Sequence, residues 1–591
     1  MESLTITSER VDDVPLLAVQ LERMGLAGVL DAHFPTHGGW AGLSLGGTAV
    51  VWLTHVLSQA DHRLSHVQPW AERRLETLGV CFAYLGQPVR PLDLADDRLA
   101  AILHALSDDG RWVAFERALT GQLLRVYDLV AERVRLDTTT ASGHWQVLPD
   151  GLFQFGHSKD HRPDLPQLKV MLATLDPLGL PVATDVLSGE RADDRLYLPA
   201  IDRVRASVGR AGLLYVGDCK MASLETRAGV AAGGDYYLCP LPAGQVPPAS
   251  LDEWLGPVAS GEQALCAVER QRADGEAVSL AEGYEWREER TAMVGGATLV
   301  WTERRLLVRS LAHARAAEVA LRDRLAKAQT ALATLAERTE RTERRRGVAH
   351  VPAATAQPAA DAILAQYQVT DVLRVTYAER LPVRTIPAWD GRLATVCDAH
   401  TTPVVTLTVT VNQPALEAAV HRLGWRIYVT NQPADHLSLA QAVLAYRDEY
   451  LVERSFGRLK GQPLSLTPMY LARDDHATGL VRLLSLGLRV LTLLQGVARR
   501  HLDPQAPNAA DTPPPLAGLY PGNPTRATSR PTAERLLAAF DDLTLTVLHT
   551  PAAIVRHLTP LSPLQQRILT LLDCPHDTYT RLTALNCAHP P

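Results

Sequence analysis

The stretch VRLDTTT, residues 134–140, marks a change in the sequence from helical to strand-like patterning. A short apolar run ends in the acid Asp137 and is followed by polar residues, which is typical of a buried strand with a functional side chain at its carboxyl end. We therefore expect a strand that ends at about Asp137. The segments that follow it in the chain decide the fold class.

Three further elements follow this strand. LKVMLATLD (168–176) and LPVATDVL (180–187) are joined by a turn-like Pro-Leu-Gly and predict a β-hairpin. DDRLYLPAIDRVRASVG (193–209) predicts a helix, and GLLYVGD (212–218) predicts a buried strand that again ends in an aspartate, Asp218. The order strand, hairpin, helix and strand predicts a mixed α/β fold over residues 131–238.

The rest of the chain divides by composition into helical, mixed and proline-rich regions. Residues 1–130 have apolar side chains at three- and four-residue spacing and predict a helical N-terminal domain. Residues 239–403 combine strand-like runs with a long basic helix from Leu311 to Arg346, whose leucine seam predicts a packing face. The expected remainder is two strand-like runs and helices in residues 404–503, which form the second part of the core, a proline-rich linker in 504–531 and a small helical tail in 532–591.

Composition excludes several classes of protein. The 591 residues carry a formal net charge of −6, so any basic surface must be local. The seven cysteines are scattered without a CxxC pair, which argues against a zinc module and a disulfide framework. Leu480–Val497 is apolar but is interrupted by Arg482 and Arg489, which predicts a half-buried helix and no membrane span. We expect a cytoplasmic protein.

Acidic side chains suggest a metal site. Carboxyl ends of strands in α/β sheets gather ligands, and carboxylate oxygens suit hard divalent cations, so Asp137 and Asp218 are candidate metal ligands. The segment YRDEYLVERSFGRLKG (446–461) is expected to lie on one continuous helix. Helical geometry then places Tyr446, Glu453 and Lys460 on one stripe. Glu453 suits a metal ion and Lys460 suits a phosphate.

At these residues the chain resembles the DDE transposases of bacterial insertion sequences. One large subgroup of that family carries the signature Tyr-x2-Arg-x3-Glu-x6-Lys, and here the positions are Tyr446, Glu449, Glu453 and Lys460. Glu449 stands where the family has arginine, a role that the neighbouring Arg447 or Arg454 could take. Other similar segments are FGHSKDHRPDLPQLKVMLATLDPLGLPV (155–182), VGDCKMAS (216–223) and RIYVTN (426–431). The resemblance covers roughly residues 134–500.

The resemblance implies an RNase H-like core interrupted by a β-containing insertion domain, residues 239–403, with residues 1–130 as a candidate DNA-end-binding domain. Asp137, Asp218 and Glu453 would be the catalytic residues and would hold two Mg²⁺ or Mn²⁺ ions. The substrates would be double-stranded DNA, the terminal inverted repeats of a transposon and a target, in a cut-and-paste reaction by a homodimer. The expected DNA contacts are Tyr446, Arg454, Arg458 and Lys460.

Alternatives remain beside this interpretation. A metal-dependent nuclease on the same fold would cut DNA without joining it, and a domesticated descendant would only bind DNA; Glu449 keeps the second alternative open. The aromatic that would stack a flipped base is undecided between Trp301 and Trp425. His157 and His161 are four residues apart but lie in a segment that predicts a loop, which weakens a metal site there. No phosphate-binding loop of the form Gly-x-x-x-x-Gly-Lys-Ser/Thr is present.

Overall fold

The structure, a computed structural model, describes residues 5–271, 276–340, 351, 353–380, 383–386, 395–398, 404–504, 513–550 and 554–584. The first part of the chain is a strand followed by a layer of helices. Their apolar faces are buried in the main hydrophobic core. These elements are β1 (Thr5–Arg10), α1 (Val14–Arg23), α2 (Leu26–His33), α3 (Leu45–Gln59), α4 (Leu64–Glu72), α5 (Leu75–Cys81), α6 (Asp96–Leu106) and α7 (Asp109–Val126).

The next part of the chain forms five strands of the central sheet and two crossover helices. They are β2 (Arg133–Ser142), β3 (Gln167–Leu175), β4 (Leu180–Ser188), α8 (Tyr197–Val208), β5 (Leu214–Val216), α9 (Leu224–Ala232) and β6 (Tyr236–Pro240). β2, β3 and β4 form an antiparallel meander. β5 is parallel to both β2 and β6. The predicted hairpin and the following helix and strand are confirmed.

The strand that contains Asp137 is longer than expected. The prediction that it ends at Asp137 is wrong, because β2 continues to Ser142 and pairs with β3 along that whole length. Thr138, Thr139 and Thr140 are β-branched and buried, so they fit a pleated sheet as well as a polar loop. Asp137 therefore lies in the middle of β2, beyond the point where the parallel pairing with β5 stops.

The insertion has two parts. The first extends the central sheet: α10 (Pro248–Ala259), β7 (Cys266–Gln271), β8 (Ala277–Val294) and β9 (Ala297–Ser310). The second has a hydrophobic core of its own, in which Leu321, Ala328, Leu332 and Leu335 of the predicted seam are buried. Its elements are α11 (Leu311–Glu340), α12 (Ala353–Gln366), β10 (Leu373–Arg380), β11 (Val383–Ile386), β12 (Thr395–Asp398), β13 (Val404–Val411) and α13 (Gln413–His421). The second part runs to His421, beyond the boundary at residue 403 that the sequence predicted, because β13 pairs with β10 and Leu416 of α13 is buried in the second core. The predicted end of the long helix, residues 341–346, lies outside the described residues.

The chain then returns to the central sheet and packs helices against it. The elements are β14 (Trp425–Thr430), α14 (Leu439–Arg447), α15 (Tyr450–Lys460) and α16 (Asp474–His501). β14 is antiparallel to both β6 and β9, which completes the strand order β4-β3-β2-β5-β6-β14-β9-β8-β7. β14 thus joins the insertion hairpin to the first five strands.

Helix α16 is the buried centre of the molecule. By length and composition it is the one helix among the described residues that could cross a membrane, but 94% of its apolar window is buried inside the protein. The expectation of a half-buried helix is wrong, because Arg482 and Arg489 are buried too. Arg489 pairs with Glu116 of α7, and Arg482 pairs with Asp109. These pairs let two charged residues lie in the core.

The tail is not wholly helical and does not follow a free linker. Leu516 and Leu519, in the described part of the proline-rich segment, are buried in the main core. Beyond them lie α17 (Ala533–Ala538), β15 (Thr544–His549), β16 (Ile554–Leu558) and α18 (Pro563–Leu571). β15 pairs with β1 on one side and with β16 on the other. The two ends of the described chain therefore meet in a small sheet.

Candidate functional site

Asp137 of β2 lies beside Asp218, which follows the end of β5 by two residues. The parallel register of β2 and β5 pairs Arg135 with Val216, and two more residues along each chain lead to the two aspartates. Adjacent strands are separated by about 4.8 Å, so the two carboxyl groups are close neighbours. Burial raises the pKa of Asp137, and the negative charge of Asp218 acts in the same direction. Two carboxylates that repel each other in a half-buried setting favour a bound cation.

An ammonium group already neutralises Asp137. Lys159 Nζ lies 3.1 Å from Asp137 Oδ1 and donates a second hydrogen bond, 2.6 Å long, to the Thr138 carbonyl oxygen. The backbone N–H of Lys159 donates to Thr140 Oγ1 at 3.0 Å. Lys159 belongs to the β2–β3 connection, which folds back so that its backbone is fastened to the strand that carries Asp137.

Asp218 stands at the turn that follows β5. Its Oδ1 accepts hydrogen bonds from the Lys220 N–H at 2.9 Å and from the Tyr197 hydroxyl at 2.6 Å. Burial and the charge of Asp218 raise the pKa of Tyr197, so its hydroxyl stays protonated as a donor. Asp218 caps the turn and faces Asp137 at the same time.

The segment 446–461 is two helices instead of the one that we expected. α14 ends at Arg447 and α15 begins at Tyr450, because Asp448 and Glu449 form a tight turn. There the backbone switches to bonds between residues three apart, from the Glu449 N–H to the Tyr446 carbonyl and from the Val452 N–H to the Glu449 carbonyl, both 3.1 Å. The helical stripe that was to unite Tyr446 with Glu453 is therefore interrupted.

The break brings Glu449 to the pair of aspartates. Burial raises the pKa of Glu449 most strongly, and the charge of Asp137 is the next cause. The charges of Glu453 and Asp218 add to the same effect. Glu453 itself lies in the first turn of α15 and is exposed. Within the described ranges, no three acidic, histidine or cysteine side chains are grouped closely enough to hold a metal ion, so the third ligand stays a prediction.

The four predicted DNA contacts have different surroundings. Tyr446 packs against Tyr428 with ring centroids 4.9 Å apart, and Lys460 Nζ pairs with Asp160 Oδ1 at 2.5 Å. Arg458 is 6% exposed and pairs with Glu534 at 2.6 Å, while Arg454 bonds Gln495. The prediction for Arg458 is corrected, because its guanidinium group joins α15 to α17 inside the protein.

Two residues that have a place in this site were not singled out from the sequence, Lys159 and Tyr197. Lys159 lies within the family-like segment FGHSKDHRPDLPQ, the one local signal that could have drawn attention to it. Tyr197 begins α8, and nothing in its neighbourhood along the chain points to Asp218. Asp160, the residue after Lys159, accepts a hydrogen bond from Lys460 of α15.

The two tryptophans that were candidates for base stacking both make hydrogen bonds through the indole N–H. Trp301 donates to the Tyr237 hydroxyl at 2.9 Å. Trp425 donates to the His421 carbonyl at 2.9 Å and lies under the guanidinium group of Arg309. Trp301 of β9 thus contacts a residue of β6, and Trp425 is the first residue of β14, where the chain returns from the insertion.

The carboxylate oxygens of Asp137 and Asp218 are suitable ligands for a hard divalent cation. Among the described residues, every hydrogen bond to the two carboxylates uses Oδ1, which leaves the Oδ2 atoms for a cation. The ammonium group of Lys159 stands beside Asp137 as a metal ion would. Oxygen ligands of this kind are those that Mg²⁺ and Mn²⁺ prefer.

Comparison with known proteins adds little to this geometry. No protein-family model matches the chain, and no curated protein matches it. The cryo-EM structure of a piggyBac transposase synaptic complex with hairpin DNA is similar over 52% of this chain and 60% of that chain, at 10% sequence identity and a TM-score of 0.22. The match spans less than two thirds of that chain, and similarity at this level carries no conclusion about the present protein.

Proposed function

We propose that this chain is a DDE-type transposase that cleaves DNA at transposon ends and joins the free 3′ ends to target DNA. The observation that carries the proposal is the placement of Asp137 on β2 beside Asp218, which lies two residues past the end of the parallel strand β5. The signature helix α15 packs against β2 beside them. Two acids at adjacent strands, with a third on a helix, are the set that the sequence resemblance implies.

The topology of the first five strands supports an RNase H-like core. An antiparallel meander of β4, β3 and β2 continues into β5 and β6, which run parallel to β2. Helix α8 connects β4 to β5, and α9 connects β5 to β6. Strands β7–β14 lie between β6 and α15 along the chain. Glu453 of α15 is therefore far from Asp137 and Asp218 in sequence, and the fold returns α15 to the side of β2.

The residues of the chain divide the work of phosphoryl transfer. Asp137, Asp218 and Glu453 would hold two Mg²⁺ ions, which when bound activate the attacking oxygen and stabilise the leaving oxygen. Lys460 would release Asp160 and bind a DNA phosphate, and Tyr446 would contact DNA beside it. Water attacks the phosphorus at the transposon end in the first step, and the freed 3′-OH attacks target DNA in the second. Neither displacement needs a protein nucleophile.

Joining separates a transposase from a nuclease of the same fold. The test combines the purified chain with Mg²⁺, the end DNA of its own element and a supercoiled plasmid as target, and measures covalent joining of labelled ends. We expect joined products whose yield depends on two ends held by a homodimer. Cleavage without joining would favour the nuclease, and binding without either would favour a domesticated DNA-binding protein. We place the reaction in the bacterial cytoplasm.

A further inference from the structure

The most unusual contact in the site is that of Lys159 with Asp137. The ammonium group lies 3.1 Å from the carboxylate oxygen of a candidate metal ligand and 2.6 Å from the carbonyl oxygen of Thr138. The side chain of Asp137 is only 19% exposed and that of Lys159 is 32% exposed, so both charged groups of the pair are partly buried.

The backbone at Lys159 is fastened to β2. Its own N–H donates a hydrogen bond to Thr140 Oγ1 at 3.0 Å. The backbone of this segment therefore stays beside the carboxylates when the side chain moves. A lysine side chain is a flexible four-carbon stem that carries a compact charge, which suits a group that changes partners.

We propose that Lys159 is a further substrate-binding residue of this site, whose ammonium group neutralises Asp137 through Oδ1 in the free protein and pairs with the DNA phosphate once divalent ions bind at Oδ2. This inference rests on the proposed function. A divalent cation at Asp137 must displace the ammonium group by like-charge repulsion. The phosphate that enters with the DNA carries the negative charge that the displaced ammonium group then requires.

Two measurements on the full-length chain test the inference, with Mn²⁺ as the metal probe. The first is the affinity for Mn²⁺ without DNA in the variant Lys159→Met. We expect binding about tenfold tighter than in the unaltered protein, the scale of one lost hydrogen bond between charged groups. The second is DNA cleavage at saturating metal, which we expect to fall about tenfold in the same variant. A structural lysine would not move the two readouts in opposite directions.

The variants Lys159→Arg and Arg210→Met are the controls. Lys159→Arg keeps the charge, so we expect Mn²⁺ affinity near that of the unaltered protein and partial recovery of cleavage. Arg210 is exposed and lies just before β5, at the end of that strand away from Asp218. Arg210→Met removes one positive charge at a distance and should leave both readouts unchanged. A circular-dichroism melt of each variant establishes that it is folded.

The outcomes separate failure of the inference from failure of the proposed function. Unchanged or weaker Mn²⁺ binding in folded Lys159→Met overturns the role of Lys159, as does unchanged cleavage. If Asp137→Asn and Asp218→Asn also bind Mn²⁺ as the unaltered protein does, the metal site itself is wrong and the proposed function falls with it. Loss of Mn²⁺ binding in those two variants beside an unchanged Lys159→Met removes the inference alone.

Discussion

Arg489 of α16 and Glu116 of α7 form an ion pair that is completely enclosed by the protein. Nη2 of the arginine lies 2.6 Å from Oε1 of the glutamate, and the two side chains are 0% and 1% exposed. Glu116 Oε2 also accepts a hydrogen bond from Arg203 of α8 at 2.6 Å. One carboxylate thus connects the N-terminal helices, the crossover helix and the central helix of the core.

Removal of one partner should destabilise the whole molecule. We expect Glu116→Leu to cost about 3–5 kcal/mol, because the buried Arg489 would lose its counter-charge. The double variant Glu116→Leu with Arg489→Met should lose less than the sum of the two single variants, since Arg489 is removed together with its counter-charge and Arg203 keeps its pair with Asp185. Thermal and denaturant unfolding midpoints of the four proteins measure this. Additive losses would show that the pair does not act as a unit.

Asp13 should make stability depend on pH. Burial, the largest cause, raises the pKa of Asp13 to about 7, against a hydrogen bond from Ser58 that lowers it. The pKa of an aspartate in the unfolded chain is near 4. Between about pH 4 and pH 7, Asp13 therefore keeps its proton in the folded protein and releases it in the unfolded chain. Stability from this group is therefore complete below pH 4 and is lost as the pH rises through 7.

Asp13→Asn removes this titration while keeping the shape of the side chain. The measured quantity is the melting temperature of the variant minus that of the unaltered protein at the same pH. We expect this difference to be more positive at pH 8.5 than at pH 5. Both proteins are measured by thermal melts at the two pH values. A constant difference between the two proteins would mean that Asp13 ionises with its ordinary pKa.

Much of the α/β core could be predicted from local sequence. The hairpin was predicted at residues 168–176 and 180–187 and is observed at Gln167–Leu175 and Leu180–Ser188, because two apolar runs and the Pro-Leu-Gly turn between them are local signals. The break at Asp448 and Glu449 was missed because both residues are compatible with a helix. Their neighbourhood is set by distant contacts, such as Arg270 with Asp448 at 3.0 Å.

Some residues of the candidate site could be predicted from the sequence, and others could not. Asp137 and Asp218 could be found because each follows an apolar run, and the sheet then brings them together. Lys159 could not be assigned to Asp137, since 22 residues of connection separate them and only the folded loop joins them. The pairing of β1 with β15 joins Thr5 to His549, a contact that no local pattern predicts.

Glu449 should weaken DNA binding. Its carboxylate adds negative charge beside Asp137 and Asp218, where the family signature has a positive side chain. We expect Glu449→Arg to bind duplex DNA more tightly and to steepen the plot of log affinity against log salt by about 0.9, the value for one additional phosphate contact. Binding isotherms at four salt concentrations measure both quantities.

The variant Glu449→Gln distinguishes loss of repulsion from gain of a contact. It should raise the affinity for DNA without changing the salt slope, because it removes a charge and adds no cation. If Glu449→Arg leaves both affinity and slope as they are in the unaltered protein, Glu449 does not face the DNA.

The second core of the insertion should unfold separately from the central sheet. Leu332 of α11 is fully buried in that core, so Leu332→Ala should destabilise it by about 2–5 kcal/mol. Hydrogen exchange should become faster in α12 and β13 while α7 and α16 keep their protection. Lys327→Met, at an exposed position on the same helix, is the control. Equal acceleration in α7 and α12 would mean that the two cores unfold together.

The most direct test of the central claim is Mg²⁺-dependent nicking of the element's own end DNA by the unaltered chain and by Asp137→Asn, Asp218→Asn and Glu453→Gln. Each substitution removes a negative charge that the proposed site needs while nearly conserving side-chain volume. We predict nicking by the unaltered chain and its loss in all three variants, with DNA binding retained. Nicking that persists in all three folded variants would contradict the assignment of these carboxylates as the catalytic site.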